Sequence, residues 1–185
     1  MKRALAVVVL VVAVVVGAGA LSASRACAHD PRFACSPRDA RPVVVDDVQK
    51  SWAFYGRLNG DTEDRYEIRT SRPTTVPVQL LVDQRDAGNP ARPFAVVAAP
   101  SGREIAELDL TGGRSFFEPF SRVTYLASAP RQVTFPAGTS WITVTMLGGA
   151  DAQRYTLAVG SDERFSIWEI PYLAGAVYRI HERLF

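Results

Sequence analysis

The 185 residues hold only two cysteines, two histidines and two lysines, Lys2 and Lys50. Each scarcity excludes something. Cys27 and Cys35 are too few for a disulfide-built scaffold, and they lack the Cys-x-x-Cys spacing of a redox or zinc site. With His29 and His181 as the only imidazoles, a hydrolytic triad is starved of its general base. No Gly-x-Ser-x-Gly elbow, His-Glu-x-x-His pair or phosphate-cradling glycine loop occurs either. Carboxylates are plentiful, but no spacing singles out an acid and base pair. The arginines are scattered rather than gathered into the basic patch that phosphates require, so no nucleic-acid partner is expected.

What is present begins with an export signal. Met1-Lys2-Arg3 precedes an unbroken apolar run from Ala4 to Val16, and Gly17, Ala18, Gly19 and Ala20 follow. Cuts after Ala20, Ala23 and Ala28 compete. The block Ala4 to Leu21, about 18 residues, is also just long enough to serve as an uncleaved anchor. The expected organisation is a signal peptide over 1–28, an extended leader over 29–42, a β-sandwich over 43–160 and a C-terminal helical segment over 161–185. Loss of Lys2, Arg3 and Arg25 with the signal leaves 18 basic against 19 acidic residues, a nearly neutral mature domain. About 157 residues remain, enough for one sizeable core. Cys27 and Cys35 pair only if the cut falls early, and a cut after Ala28 leaves Cys35 alone.

The mature region is patterned for strands. In Ser51–Thr70, Tyr66 and Ile68 alternate with Arg65, Glu67 and Arg69, giving a strand with one wet face. Trp52–Leu58 is apolar on both faces, which marks a more central strand. Asn59-Gly60-Asp61 predicts a tight turn joining the two as an antiparallel hairpin. Further short strands are expected at Val43–Val45 (an edge), 75–82, 94–99, 104–110, 123–127, 132–135, 141–146 and 154–159, with Pro77 placing the start of its strand at an edge or bulge. Phe116, Phe117 and Phe120 around Pro119 read as a plug over one end of the core. Glycine and proline turns every 8 to 12 residues or so predict an antiparallel β-sandwich of about eight or nine strands. Trp52, Phe54, Tyr66, Ile68, Leu80, Val96, Trp141, Tyr155 and Leu157 are its expected core.

The end of the chain changes period. Ile170, Leu173, Val177, Ile180 and Leu184 step by three and four, so the all-β body carries one C-terminal amphipathic helix. Ser166 and Glu169 have capping-box spacing. This helix is expected to pack on the sandwich, with a peripheral foot on the membrane surface as the alternative.

Three segments carry a resemblance: Gly60-Asp61 with Asp64-x-Tyr66, the run Pro136 to Val144, and Tyr155-x-Leu157-x-Val159. Over residues 51–160 or so they resemble the bacterial pre-peptidase C-terminal domain, a jelly-roll-like β-sandwich module of secreted proteins. With Ala28-His29-Asp30-Pro31 and Phe116–Phe120 included, the chain is also similar to an uncharacterised group of bacterial and archaeal exported proteins. It departs from the pre-peptidase pattern in a long insertion, Asp83 to Ala127, and in having no peptidase attached.

Two metal readings follow from the residues. Asn59, Asp61 and Glu63, with Asp64 adjacent, place oxygen ligands at alternate positions of one loop, as calcium sites do, although the later bidentate Glu is missing. A cut after Ala28 would leave His29 at the terminus, offering an amine and an imidazole suited to copper(II), with a third donor needed from His181 or a carboxylate. No other cofactor is implied. The expected function is a non-catalytic exported domain of the cell envelope, periplasmic, extracellular or on the cell surface. Its partner would be an envelope protein or glycan, and it would touch membrane only through an uncleaved signal or the C-terminal helix. The alternative is an exported copper-binding protein.

Overall fold

The computed structural model describes residues 30–34, 41–60, 62–89, 92–119, 121–148, 152–164 and 170–182. Twelve strands lie among them: β1 Asp30–Phe33, β2 Val43–Val45, β3 Trp52–Leu58, β4 Asp64–Thr70, β5 Thr74–Asp83, β6 Arg92–Ala98, β7 Glu104–Leu108, β8 Arg114–Glu118, β9 Val123–Ala127, β10 Arg131–Phe135, β11 Gly138–Leu147 and β12 Gln153–Val159. Helix α1, Ile170–His181, follows. The first sheet has the order β1-β3-β12-β5-β9-β8, with β10 also paired to β5, and the second has the order β2-β4-β11-β6-β7. The all-β sandwich with one C-terminal helix is therefore as the alternation indicated, with more strands than the expected eight or nine.

The stretch read as a hairpin is instead the crossing between the two sheets. β3 pairs with β1 and β12, whereas β4 pairs with β2 and β11. The alternation was right and the pairing was not. Both strands have an apolar face, and these faces look at each other across the core, so the Phe54 and Tyr66 rings lie 4.9 Å apart. The residues from Asn59 to Glu63 are long enough to cover the roughly 10 Å between packed sheets.

The core is made where the inner faces meet. Phe54, Leu58, Leu80, Tyr155 and Leu157 from the first sheet pack on Tyr66, Ile68, Val97, Ile142 and Val144 from the second. Each such side chain contributes about 1.5–3 kcal/mol by leaving water. Three expected core residues fall short: Trp52, Val96 and Trp141 are half-buried. On β6 the inward residues are Ala95 and Val97, so Val96 belongs to the other face. Trp141 shares that outer side and lies under the Arg65 guanidinium, 5.7 Å from its ring centre.

Three further segments differ from the sequence reading. Part of the leader, Asp30–Phe33, is a strand, parallel to β3 in register Asp30↔Trp52. Pro77 lies in an interior strand rather than at an edge. It is tolerated because its side of β5 faces Gly160, just past the last pair with β12, Val159↔Val78. The Phe116 segment is no plug: β8 is the outermost strand of the first sheet, with Phe116 and Phe117 40% and 55% exposed. Phe120 lies outside the described residues.

Helix α1 packs on the outer face of the first sheet. Ile180 joins Ala53, Tyr55, Leu81, Val123, Tyr125, Ala127 and Ala158, while Arg179 lies 3.8 Å from the Phe33 ring centre. Ala176 is buried and Leu173 and Val177 are half-buried, so the helical stripe faces the protein. The capping-box pair Ser166 and Glu169, and Leu184, lie outside the described residues.

Candidate functional site

A strand buried on both faces needs two coverings, and among the described residues a groove remains on the outer side of β3 and β12. Pro31, Ala53, Ala158 and Gln79 are direct neighbours across β1, β3, β12 and β5 on the outer face. Three of these four are small or cyclic, so the sheet dips along this row. The next row, Tyr55, Thr156 and Leu81, is bulkier, and Tyr125, Phe116 and Glu118 rise from β9 and β8. The result is a groove of about 360 Å³, walled on the far side by Pro77, Pro130, Gly160 and Ser161. That volume is at the lower end of the range for small-ligand sites, which are typically concave and mostly apolar with few polar groups.

Gly160 closes one end of the groove for a backbone reason. Its φ of 79° is left-handed, and a Cβ there would collide with the carbonyls of Val48, Gln49 and Lys50.

The polar groups at the groove are held in defined states. The Tyr55 and Tyr125 hydroxyls are hydrogen-bonded, and burial pushes the Tyr55 phenol well above its ordinary value and Tyr125 up to about 12. Neither ionises near neutral pH. Glu118 uses Oε2 to accept the Ser121 amide at 2.6 Å. The Gln79 amide nitrogen donates to the Ser128 carbonyl at 2.6 Å. These groups can accept or donate hydrogen bonds at the rim of an apolar trough; none is poised as a nucleophile.

A second groove, about 950 Å³, opens between β2 and the β1–β3 edge, with Trp52, Phe54, Arg32 and Arg41 among its lining. Larger is not better here, because its aromatic and charged side chains are engaged with one another. Trp52 Nε1 donates to the Asp47 carbonyl at 2.7 Å, and its ring faces Lys50 at 4.5 Å and Arg32 at 5.3 Å. Both cations bond Asp30, which is completely buried, at 2.7 and 3.1 Å. This is a knot that ties β1 to the body.

The residues singled out as metal ligands are not brought together among the described residues. Asp61 lies outside those residues, as does His29. Asn59 accepts the Thr62 amide with its main-chain oxygen, and Glu63 pairs with Arg65 at 3.2 Å. Asp64 turns inward and accepts the Tyr155 hydroxyl at 2.7 Å. Among the described residues no three His, Cys, Asp or Glu side chains are grouped to hold an ion. His181 is exposed near Arg122 and Asp83. From Tyr172, which faces Arg32, the helix rises about 13 Å before reaching it.

The groove itself was half visible in the sequence. Trp52–Leu58 showed two apolar faces, and Ala53 and Tyr55 on the second face are part of its floor. The dip made by Pro31, Ala53 and Ala158 is a property of register, which alternation alone does not supply.

No protein-family model matches the chain, and no curated protein matches it in sequence. Among solved structures it is similar to the pre-peptidase C-terminal domain of collagenase from Bacillus anthracis, at 12% identity and a TM-score of 0.40, over 71% of this chain and 96% of that one. It is also similar to PliG from Aeromonas hydrophila, a periplasmic inhibitor of g-type lysozyme, at 15% identity and a TM-score of 0.42, over 72% and 98%. PliG from Salmonella Typhimurium gives 16% and 0.38, over 65% and 97%.

Proposed function

We infer that the protein is a non-catalytic, exported cell-envelope domain that binds an apolar segment of a partner protein in the groove on the outer face of its first sheet. The groove carries this reading: a mostly apolar trough floored by Ala53 and Ala158, with a few hydrogen-bonding groups in its lining. A partner that inserts one or two apolar side chains would bury them there, while Tyr55, Gln79 and Glu118 lie within the same lining to meet its polar atoms. A glycan is less well served, because the many hydroxyls of a sugar would meet a mostly apolar lining. Export is supported by Met1-Lys2-Arg3 and the apolar run that follows. The non-catalytic class is supported by the state of the groove's ionisable groups, two protonated phenols and a carboxylate engaged in a turn.

The test uses Ala158→Trp, which fills the trough from its floor. Short peptides bearing two adjacent large apolar side chains should raise the melting temperature of the exported wild type and leave that of a folded Ala158→Trp variant unchanged. Equal shifts in both, or none in the wild type, would remove the groove from the account. Turnover in a broad hydrolase screen would refute the non-catalytic class.

A further inference from the structure

We propose that two copies of this chain associate by pairing their β8 strands antiparallel about a two-fold axis through Phe116, joining their first sheets into one.

The strand is placed for it. β8 ends the first sheet, and its only strand partner among the described residues is β9. An outermost strand offers a row of main-chain donors and acceptors, and natural sheets usually blunt such an edge. β8 is blunted only by its short length and a charge at each end, Arg114 and Glu118. It has no proline within it, and it presents Phe116 and Phe117, 40% and 55% exposed, where a monomer would favour polar residues.

The sequence of the strand is complementary to itself in this geometry. A two-fold axis through Phe116 sets Arg114 opposite the partner's Glu118, Ser115 opposite the partner's Phe117, and Phe116 opposite the partner's Phe116. Both ends therefore form opposite-charge cross-strand pairs and the middle forms an aromatic pair, each favourable when directly opposed. The arrangement is isologous, as a closed dimer requires. Pro119, lacking an amide hydrogen, follows the strand directly and stops the ladder at five residues. The opposite edge of the other sheet is a useful contrast. β7 carries Glu104 and Glu107 and no cation, so the same operation about Ala106 would gather four carboxylates.

The pairing also bears on the groove. Phe116 and Glu118 stand on the same face as Tyr125 and line its mouth. The axis keeps this face on one side of the joined sheet, so the partner's Arg114 arrives beside Glu118. Two grooves then open onto one continuous surface. Five residues a side make a small interface, which places the association in the weak, concentration-dependent class.

Two measurements test this on the exported chain. Sedimentation velocity over a concentration series should show a monomer–dimer equilibrium for the wild type, and a folded Arg114→Glu variant should dimerise at least about tenfold more weakly because it opposes like charges. Cysteine cross-linking then reads the register, in a chain with Cys27→Ser and Cys35→Ser. Cα atoms at position 116 would be about 5 Å apart across the axis, within disulfide reach, while those at 115 would be about 8 Å apart and outside it. Mild oxidation should link Phe116→Cys and not Ser115→Cys. A wild type that stays monomeric throughout, an Arg114→Glu variant that dimerises equally well, or equal cross-linking at both positions would overturn the proposal.

Discussion

The hydroxyls of Tyr66 and Tyr155 meet at 2.7 Å inside the sandwich, one from each sheet, and Tyr155 donates its own hydrogen bond to Asp64 at 2.7 Å. The direction of the chain is fixed by this. Tyr155 donates to the carboxylate, so Tyr66 must be the donor to Tyr155. The two phenols are fully buried, and their bond ties the two sheets together within the apolar core.

The two tyrosines should therefore not be equivalent. Tyr155→Phe leaves the Tyr66 donor buried without an acceptor and is expected to cost about 1–3 kcal/mol. Tyr66→Phe leaves Tyr155 still bonded to Asp64 and should cost less. Urea denaturation of both single variants and the double variant checks this, and a smaller loss in Tyr155→Phe than in Tyr66→Phe would contradict the assigned direction.

Asp64 gives the fold a pH dependence. Burial raises its carboxyl above the ordinary value, and the Tyr155 hydrogen bond only partly offsets this. The folded state then holds the proton more tightly than the unfolded chain. Its contribution to stability is full below the unfolded value near 3.8 and is lost as pH rises through the raised folded value. Asp64→Asn should remove this component. Comparing denaturation midpoints across the acid range should show a stability that falls less with rising pH in the variant than in the wild type; parallel profiles would count against the assignment.

Gly56 faces Tyr155 across β3 and β12, and a Cβ at Gly56 would occupy the space of the Tyr155 ring. Gly56→Ala should destabilise by about 1–3 kcal/mol through overpacking. The same change made in a Tyr155→Leu background should cost less, because the obstructing ring is gone. Additive losses, read by thermal denaturation, would show that the ring is not the obstacle.

The knot around Asp30 ties β1 to the body of the sandwich. Removing its carboxylate in Asp30→Ala breaks the 2.7 Å ion pair with Lys50 from its fully buried side, a change that typically costs about 3–5 kcal/mol. Proteolysis should then cut the β1 end faster than the rest of the chain. An unchanged melting temperature would detach β1 from the body.

Much of this fold was legible because alternation is local. Tyr66 and Ile68 against Arg65, Glu67 and Arg69 specify a half-buried strand whatever its neighbours are, and Leu173, Val177 and Ile180 specify a helix face. Pairing is not local. Asn59-Gly60-Asp61 suits a hairpin turn, yet the facing apolar surfaces of β3 and β4 are better buried against each other in opposite sheets. The same limit hid β8: three phenylalanines suggest burial by composition, but where the strand lies in the sheet decides whether they are covered. Spacing singles out Asp64 on its loop, but its hydrogen bond to Tyr155, 91 positions away, is a contact that spacing does not supply.

The groove is the centre of the account, and one titration tests it most directly. An apolar fluorescent dye, 1-anilinonaphthalene-8-sulfonate, added to the folded wild type at neutral pH should bind saturably at one site per chain. Ala158→Trp should abolish that site while its near-ultraviolet spectrum shows native tertiary packing. Binding that is unsaturable, or that survives in the folded Ala158→Trp variant, would contradict a preformed site on the outer face of the first sheet.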